Sequence, residues 1–150
     1  MEFRLANRDD LEALVENRME FVQAVKGIDR KEDFRTKTRA FLSAHLEQPD
    51  FAAFIAVEEG RIAASCMACV FAVLPTEDLP AGRRARVMNV YTQPAHRRSG
   101  YAEALVRMMA EEMKRRGVEE LRLECTEMGR PVYEKVGFEK LDNQMRLKLL

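Results

Sequence analysis

The sequence has no excess of charge of either sign, no long hydrophobic run and too few cysteines for a disulfide framework. Its 150 residues include 25 Lys and Arg and 25 Asp and Glu. This balance argues against a dedicated nucleic-acid binder, because such proteins normally carry a basic excess. The longest nearly apolar run, Ile62 to Leu74, is shorter than the about 20 residues that a membrane-spanning helix needs. The charged amino terminus lacks the apolar segment of a signal peptide. We therefore expect a cytoplasmic protein with no nucleic-acid or membrane partner.

Three cysteines are present, and two of them, Cys66 and Cys69, have the spacing of a redox pair or of half a zinc site. The chain has no second pair of this kind and only two histidines, so we expect no metal site. Both cysteines lie in a strand-like apolar run, where positions three apart face opposite sides. We expect them to be structural. A redox protein is the alternative, and it requires an accessible thiol of low pKa.

Hydrophobic periodicity and turn signals predict one domain with seven strands and four helices. The predicted strands span residues 3–6, 51–57, 62–73, 86–92, 121–125, 138–141 and 145–149. The predicted helices run from a cap at Asn7 or Asp9 to Gly27, from about Lys31 to Leu46, from about Ser99 to Gly117, and from Pro131 to Gly137. A strand–helix–strand unit near residues 86–125 within this mixed order indicates an α+β fold around a central mixed sheet.

The turn before the third helix is the most informative stretch. The first turn of a helix has free N–H groups and a partial positive charge. Gly100 lets an anion approach the backbone because it has no Cβ, and Arg97 and Arg98 add full charges. The pattern Arg97-x-x-Gly100-x-Ala102 is weak alone, but its place between a strand and the head of the best helix favours a phosphate or pyrophosphate cradle. An ordinary polar turn is the alternative.

A second motif follows about 30 residues later, and the two together carry a family resemblance. The quoted stretches are Asn89-Val90-Tyr91-Thr92 with Arg97-x-x-Gly100-x-Ala102, and Val132-Tyr133-Glu134-Lys135-Val136-Gly137-Phe138. They resemble the GNAT superfamily of acetyl-CoA-dependent N-acetyltransferases, over essentially the whole chain. The resemblance implies a mixed, mostly antiparallel sheet of six to seven strands with about four flanking helices, forming a single domain over residues 1–150.

The same resemblance implies where acetyl-CoA binds and which residue is catalytic. Two backbone stretches would bind acetyl-CoA: Val90, Tyr91 and Thr92 the pantetheine arm, and Arg97, Arg98, Ser99, Gly100, Tyr101 and Ala102 the pyrophosphate. Tyr133 would lie near the sulfur, and a backbone N–H near Val90 would stabilise the developing oxyanion. Because an ordinary tyrosine titrates near 10, Tyr133 is neutral at pH 7 and available as the general acid.

The general base is not identified by the sequence. Many family members have a glutamate at the position of Met88, which cannot accept a proton. Glu124 is the closest ionisable candidate by element order, although a strand carboxylate in solvent is the more ordinary interpretation. A water chain or an amine of lowered pKa would also serve.

The expected reaction moves an acetyl group from acetyl-CoA to a primary amine of a small molecule or peptide. The identity of that amine is not encoded in any motif. The exposed edges of the predicted carboxy-terminal strands favour a homodimer. The alternative function is a catalytically silent acyl-CoA-binding or sensor module that keeps the cradle but lacks an efficient base.

Overall fold

Strand and helix positions are taken from a computed structural model that describes residues 1–27 and 31–150. Within these ranges there are five strands and four α-helices. The strands are β1 (Glu2–Leu5), β2 (Phe51–Glu58), β3 (Arg61–Ala72), β4 (Arg83–Thr92) and β5 (Glu120–Arg122). The helices are α1 (Leu11–Lys26), α2 (Lys31–His45), α3 (Tyr101–Arg115) and α4 (Arg130–Val136). Among the described residues, no helix has the length and apolar character needed to cross a membrane.

The strands form a single mixed sheet in the order β1-β2-β3-β4-β5. The first three pairings are antiparallel, and β4 pairs with β5 in parallel through α3. The predicted α+β class and the four helices are confirmed. The predicted count of six to seven strands is wrong, because the sheet of the described residues has five.

The missing strands belong to the carboxy-terminal segment. The expected strands at 138–141 and 145–149 have no ladder, and β5 ends at Arg122 rather than Cys125. Apolar residues alternate in this segment, but a strand also requires backbone partners in a neighbouring strand. Without them, the side chains of Leu141, Met145 and Leu147 are exposed.

Two hydrophobic layers hold the helices to the sheet. On one face, α1 and α2 cover a cluster that includes Leu14, Val15 and Ile55. On the other face, α3 covers a cluster that includes Leu105 and Met109. Complete burial of a side chain of this size contributes about 1.5–3 kcal/mol. The face of the sheet that α1 and α2 cover is called the α1 side, and the face that α3 covers is called the α3 side. β4 is the fourth of the five strands and contributes to both faces.

Helix ends agree with the turn signals of the sequence. Gly27 ends α1 with a φ of 59°. Asn7 caps a 3-10 turn at Arg8–Asp10, and α1 begins only at Leu11. The third helix begins at Tyr101, two residues after the expected Ser99, because Gly100 has the left-handed φ of 76°.

Candidate active site

The two parallel strands β4 and β5 separate along their length. Their ladder covers only residues 84–86 of β4, paired with 120–122, while β4 continues to Thr92. From Val87 onward, β3 is therefore the one strand of the described residues that pairs with β4. This leaves an open slot beside one backbone edge of β4, and the slot leads to the turn before α3. An extended ligand could pair with that edge as a strand would.

A bulge interrupts β4 at the middle of this open edge. Between the pairs Met67–Met88 and Ser65–Tyr91, β4 has two residues where β3 has one. The first of the two, Asn89, has a φ of 53° in the left-handed region. Bulges of this kind redirect side chains and end pairing next to active sites. Val90, the second, has no partner in the register and packs against the core on the α3 side.

The turn between β4 and α3 presents a group of free amides. The N–H groups of His96 and Arg97 bond back to Gln93 and Pro94. Among the described residues, none accepts a hydrogen bond from the amides of residues 98–103. Arg98 and Gly100 have φ angles of 64° and 76°, separated by one residue. Alternating conformations of this type turn consecutive N–H groups toward one point and create an anion-binding concavity.

Side chains around the turn add positive charge without closing it. Arg97 donates from Nε to the carbonyl oxygen of Thr92 over 3.2 Å, which ties the turn to the end of β4. Arg98 and Ser99 are exposed. A Cβ at Gly100 would meet no atom within 4 Å, so the glycine is required by its φ and not by a close contact. These features fit a pyrophosphate, which needs several N–H donors and nearby cations.

Tyr133 packs on the α3 side of the sheet, the side that Val90 also faces. It lies on α4, is half-buried, and packs against the same cluster as Val90. Burial is the main cause that raises the pKa of Tyr133 to about 12, with Cys66 and Cys125 close enough to add to the shift. Cys66 lies on β3 opposite the bulge. The structure therefore brings the phenol and the bulge to the same side of the sheet. A cavity of about 190 Å³ next to Tyr133 is also lined by Leu123 and Cys125.

A buried polar network supports the bulge from the α1 side, and the sequence did not reveal it. Asn89 Nδ2 donates to Asn17 Oδ1 over 2.9 Å and to Ser65 Oγ over 3.1 Å. Ser65 Oγ in turn donates to Asn17 Oδ1 over 2.7 Å. The exposed fractions of Asn17, Ser65 and Asn89 are 3%, 0% and 2%. Such bonds hold Asn89 in its left-handed conformation. The available signal was an asparagine inside a strand pattern, since asparagine is rare in strands and tolerates positive φ.

The candidate general base, Glu124, is not a free carboxylate, and Met88 has none. Glu124 is exposed and forms an ion pair with Arg86 Nη2 at 2.7 Å. Met88 pairs with Met67, whose side chain belongs to the cluster on the α1 side. Neither residue supplies a carboxylate at the bulge.

The two cysteines of the redox hypothesis lie on opposite faces of the sheet. Cys66 is buried in the cluster on the α3 side, and Cys69 packs against the cluster on the α1 side. Burial raises the pKa of Cys66 to about 12 and also raises the pKa of Cys69. They cannot form a disulfide with each other in this fold. The described residues contain no group of three or more His, Cys, Asp or Glu that could hold a metal ion.

Known proteins with the same architecture point to one family. The sequence model of the acetyltransferase (GNAT) family matches residues 13–138. A crystal structure of a predicted acetyltransferase from Clostridium acetobutylicum with acetyl-CoA has a TM-score of 0.87 and 26% identity, covering 98% of this chain and 95% of that chain. A GCN5-related N-acetyltransferase from Ralstonia eutropha JMP134 has a TM-score of 0.85 and 26% identity, covering 99% and 97% of the two chains.

More distant structures share the fold alone. A ribosomal-protein-alanine N-acetyltransferase from Brucella melitensis biovar Abortus 2308 has a TM-score of 0.70 and 18% identity, covering 99% of this chain and 100% of that chain. No curated protein matches this chain.

Proposed function

Because this chain belongs to the acetyltransferase (GNAT) family, we propose that it transfers an acetyl group from acetyl-CoA to a primary amine of a small molecule or peptide. The proposal extends to residues 1–150 as one acetyltransferase domain. The observation that carries it is the set of free amides at residues 98–103 next to the open edge of β4. The free amides fit a diphosphate, and the open edge of β4 fits an extended arm. These are two parts of acetyl-CoA.

Acetyl-CoA supplies a reactive thioester when it is bound. The amides of residues 98–103 hold the pyrophosphate, with Arg97 and Arg98 next to it. The backbone edge of Val90, Tyr91 and Thr92 binds the pantetheine arm. At the bulge, the N–H of Val90 donates to the acetyl oxygen and stabilises the negative charge that develops there.

Tyr133 delivers the proton that the departing sulfur needs. Burial disfavours its phenolate, so the phenol remains protonated throughout the neutral range. A phenol of pKa about 12 is a weak acid toward a thiolate in water, since free thiols titrate near 8.5. Inside the protein, however, the same desolvation raises the pKa of a thiol, as the pKa of about 12 at Cys66 illustrates. Desolvation of the departing sulfur therefore makes proton transfer from the phenol less unfavourable than it is in water.

The amine must lose a proton before it attacks, and neither Glu124, which is paired with Arg86, nor Met88 is a free carboxylate for this step. An alkylamine titrates near 10.4, so only a small fraction is neutral at pH 7. We propose that water takes the proton or that the acceptor has an amine of lowered pKa. The rate should then increase with pH as the neutral fraction of the amine increases.

Release of free thiol from acetyl-CoA, measured with a panel of primary amines, tests the proposal. Transfer predicts amine-dependent thiol release together with an N-acetylated product identified by mass spectrometry. A protein that binds acetyl-CoA calorimetrically but releases no thiol with any amine would instead be a silent acyl-CoA-binding module. Glu124 paired with Arg86 and methionine at position 88 favour that second candidate. Tyr133, on the same side of the sheet as Val90, favours the enzyme.

A further inference from the structure

A cation lies next to the bulge on the side opposite the cradle, and the reaction described above does not use it. Arg18 projects from α1 and is half-buried. Its Nη1 donates to Asn89 Oδ1 over 3.1 Å. Its guanidinium carbon lies 5.8 Å from the ring centre of Phe21 and 5.6 Å from that of Phe34. The guanidinium therefore lies near two aromatic rings and contacts the residue that precedes Val90.

The charge of Arg18 is not balanced by a carboxylate among residues 1–27 and 31–150. The other arginines of α1 and α2 are paired: Arg35 with Glu16, and Arg39 with Glu12 at 2.8 Å. Arg18 has one hydrogen bond and no ion pair in these ranges, so four of its five N–H donors have no partner there. In the described ranges, a few side-chain atoms are fully buried and have no hydrogen-bond partner. The nitrogens of Arg18 are not among them.

A half-buried cation is costly unless an anion or a comparable group compensates it. Contact with aromatic rings supplies a part of this compensation. Burial lowers the pKa of Arg18, which shows that its surroundings disfavour the charge. A planar guanidinium with free donors is also the side chain best suited to a carboxylate or a phosphate, which it binds through two parallel hydrogen bonds.

We propose that Arg18 binds an anionic group, a carboxylate or a phosphate, on the amine that accepts the acetyl group. This inference rests on the proposed function, because it assigns the acceptor of the same site. Asn89, which contacts Arg18, and Val90, at which the acetyl oxygen binds, are consecutive, with Cα atoms about 3.8 Å apart. We expect the anion and the amine to be close together in the acceptor, as in an amino acid or an aminoalkyl phosphate. Phe21 and Phe34 cover the apolar part between them.

Matched pairs of amines provide the test. Glycine and glycinamide, β-alanine and β-alaninamide, and 2-aminoethyl phosphate and ethanolamine differ in the anionic group. The amides carry the less basic amine, so a preference for the acids cannot arise from easier deprotonation. We expect kcat/KM for thiol release to be at least about tenfold higher for one or more anionic members. The pair with the larger ratio identifies carboxylate or phosphate as the anion.

Substitution of Arg18 should remove this preference. In Arg18→Met the ratio should fall to about one, and in Arg18→Lys it should be intermediate, because lysine keeps the charge without the planar fork. Arg61→Met is the control, since Arg61 is an exposed arginine at the start of β3, and the ratio should not change. Equal kcat/KM within every pair, or an unchanged ratio in Arg18→Met, overturns the inference.

Calorimetry separates this inference from the proposed transfer. The CoA-bound protein is titrated with the acetylated products N-acetylglycine and N-acetylglycinamide, and with the corresponding phosphate pair. Binding of an anionic member that is lost in Arg18→Met supports the anion subsite, even where no amine releases thiol and the transfer itself fails. Thiol release without any preference for anionic ligands supports the transfer and refutes the subsite. Thermal denaturation of each variant confirms that it is folded.

Discussion

The two sides of β4 are built in different ways. On the α3 side, the proposed ligand-binding groups are backbone amides of one continuous stretch, residues 98–103. On the α1 side, the proposed ligand-binding group is the side chain of Arg18, and side chains from three distant segments support the bulge beside it: Asn17 from α1, Ser65 from β3, and Asn89 from β4. A site made of backbone tolerates much sequence change and can serve a whole family. A site made of side chains changes with each substitution, and it is the side on which the acceptor would bind.

Among the tests of this difference between the two sides, the largest effect on the rate is expected for Tyr133→Phe. This variant keeps the ring but removes the acidic proton on the α3 side. Loss of a general acid typically costs about 10²–10⁴-fold in rate, and kcat should fall by that factor. The affinity for acetyl-CoA, measured by calorimetry, should change little because the ring still packs against Phe138. The wild-type rate should rise with pH without an alkaline decline below pH 10, since the pKa of Tyr133 is about 12. An unchanged kcat in the folded variant would exclude Tyr133 as the acid.

Asn89 tests the α1 side through its contribution to stability. Asn89→Ala removes the bonds to Asn17 and Ser65 and places a Cβ residue without their support at a φ of 53°. We expect its free energy of unfolding to fall by about 2–4 kcal/mol. Asn89→Gly loses the same bonds but adopts positive φ freely, so the loss should be about 1 kcal/mol smaller. Urea denaturation measures both values. Equal losses in the two variants would show that the backbone conformation at the bulge contributes nothing.

Two glycines with nearly the same conformation separate stability from binding on the α3 side. Gly100 and Gly60 have φ angles of 76° and 75°, and a Cβ at either would meet no atom within 4 Å. Both changes to alanine should lower the free energy of unfolding by about 1–2 kcal/mol. Only Gly100→Ala should also weaken acetyl-CoA binding, by about tenfold, because the turn relaxes and one or more amides lose their alignment. A similar loss of affinity in Gly60→Ala would show that the effect is general destabilisation.

The smallest effect is expected for the cysteines, one on each side of the sheet. In the double variant Cys66→Ala/Cys69→Ala, the rate of thiol release from acetyl-CoA should change by less than about twofold, since neither thiol is a low-pKa nucleophile. Cys66→Ala should cost more stability than Cys69→Ala because Cys66 is completely buried. Loss of activity in the double variant at full acetyl-CoA affinity would revive the redox interpretation.

The contrast between one continuous stretch of chain and several distant segments also explains which parts of the fold could be predicted from the sequence. The stripe of Leu105, Val106 and Met109, and the glycine before α3, are local signals, and they predicted the helix and its turn. The contact between Arg18 and Asn89 joins residues 71 positions apart, and no local pattern encodes such a contact. Alternation at Met145 and Leu147 predicted strands, but periodicity does not provide the backbone partner that a strand requires.

The proposed function depends on binding of the pyrophosphate of acetyl-CoA by the amides of residues 98–103, in the turn before α3 and in its first turn. Backbone NMR spectra recorded during a titration with CoA test it most directly. We expect the amide resonances of residues 98–103 to undergo the largest shifts, with smaller shifts at Val90, Tyr91 and Thr92. Saturable binding of CoA that leaves the amides of 98–103 unshifted would contradict it.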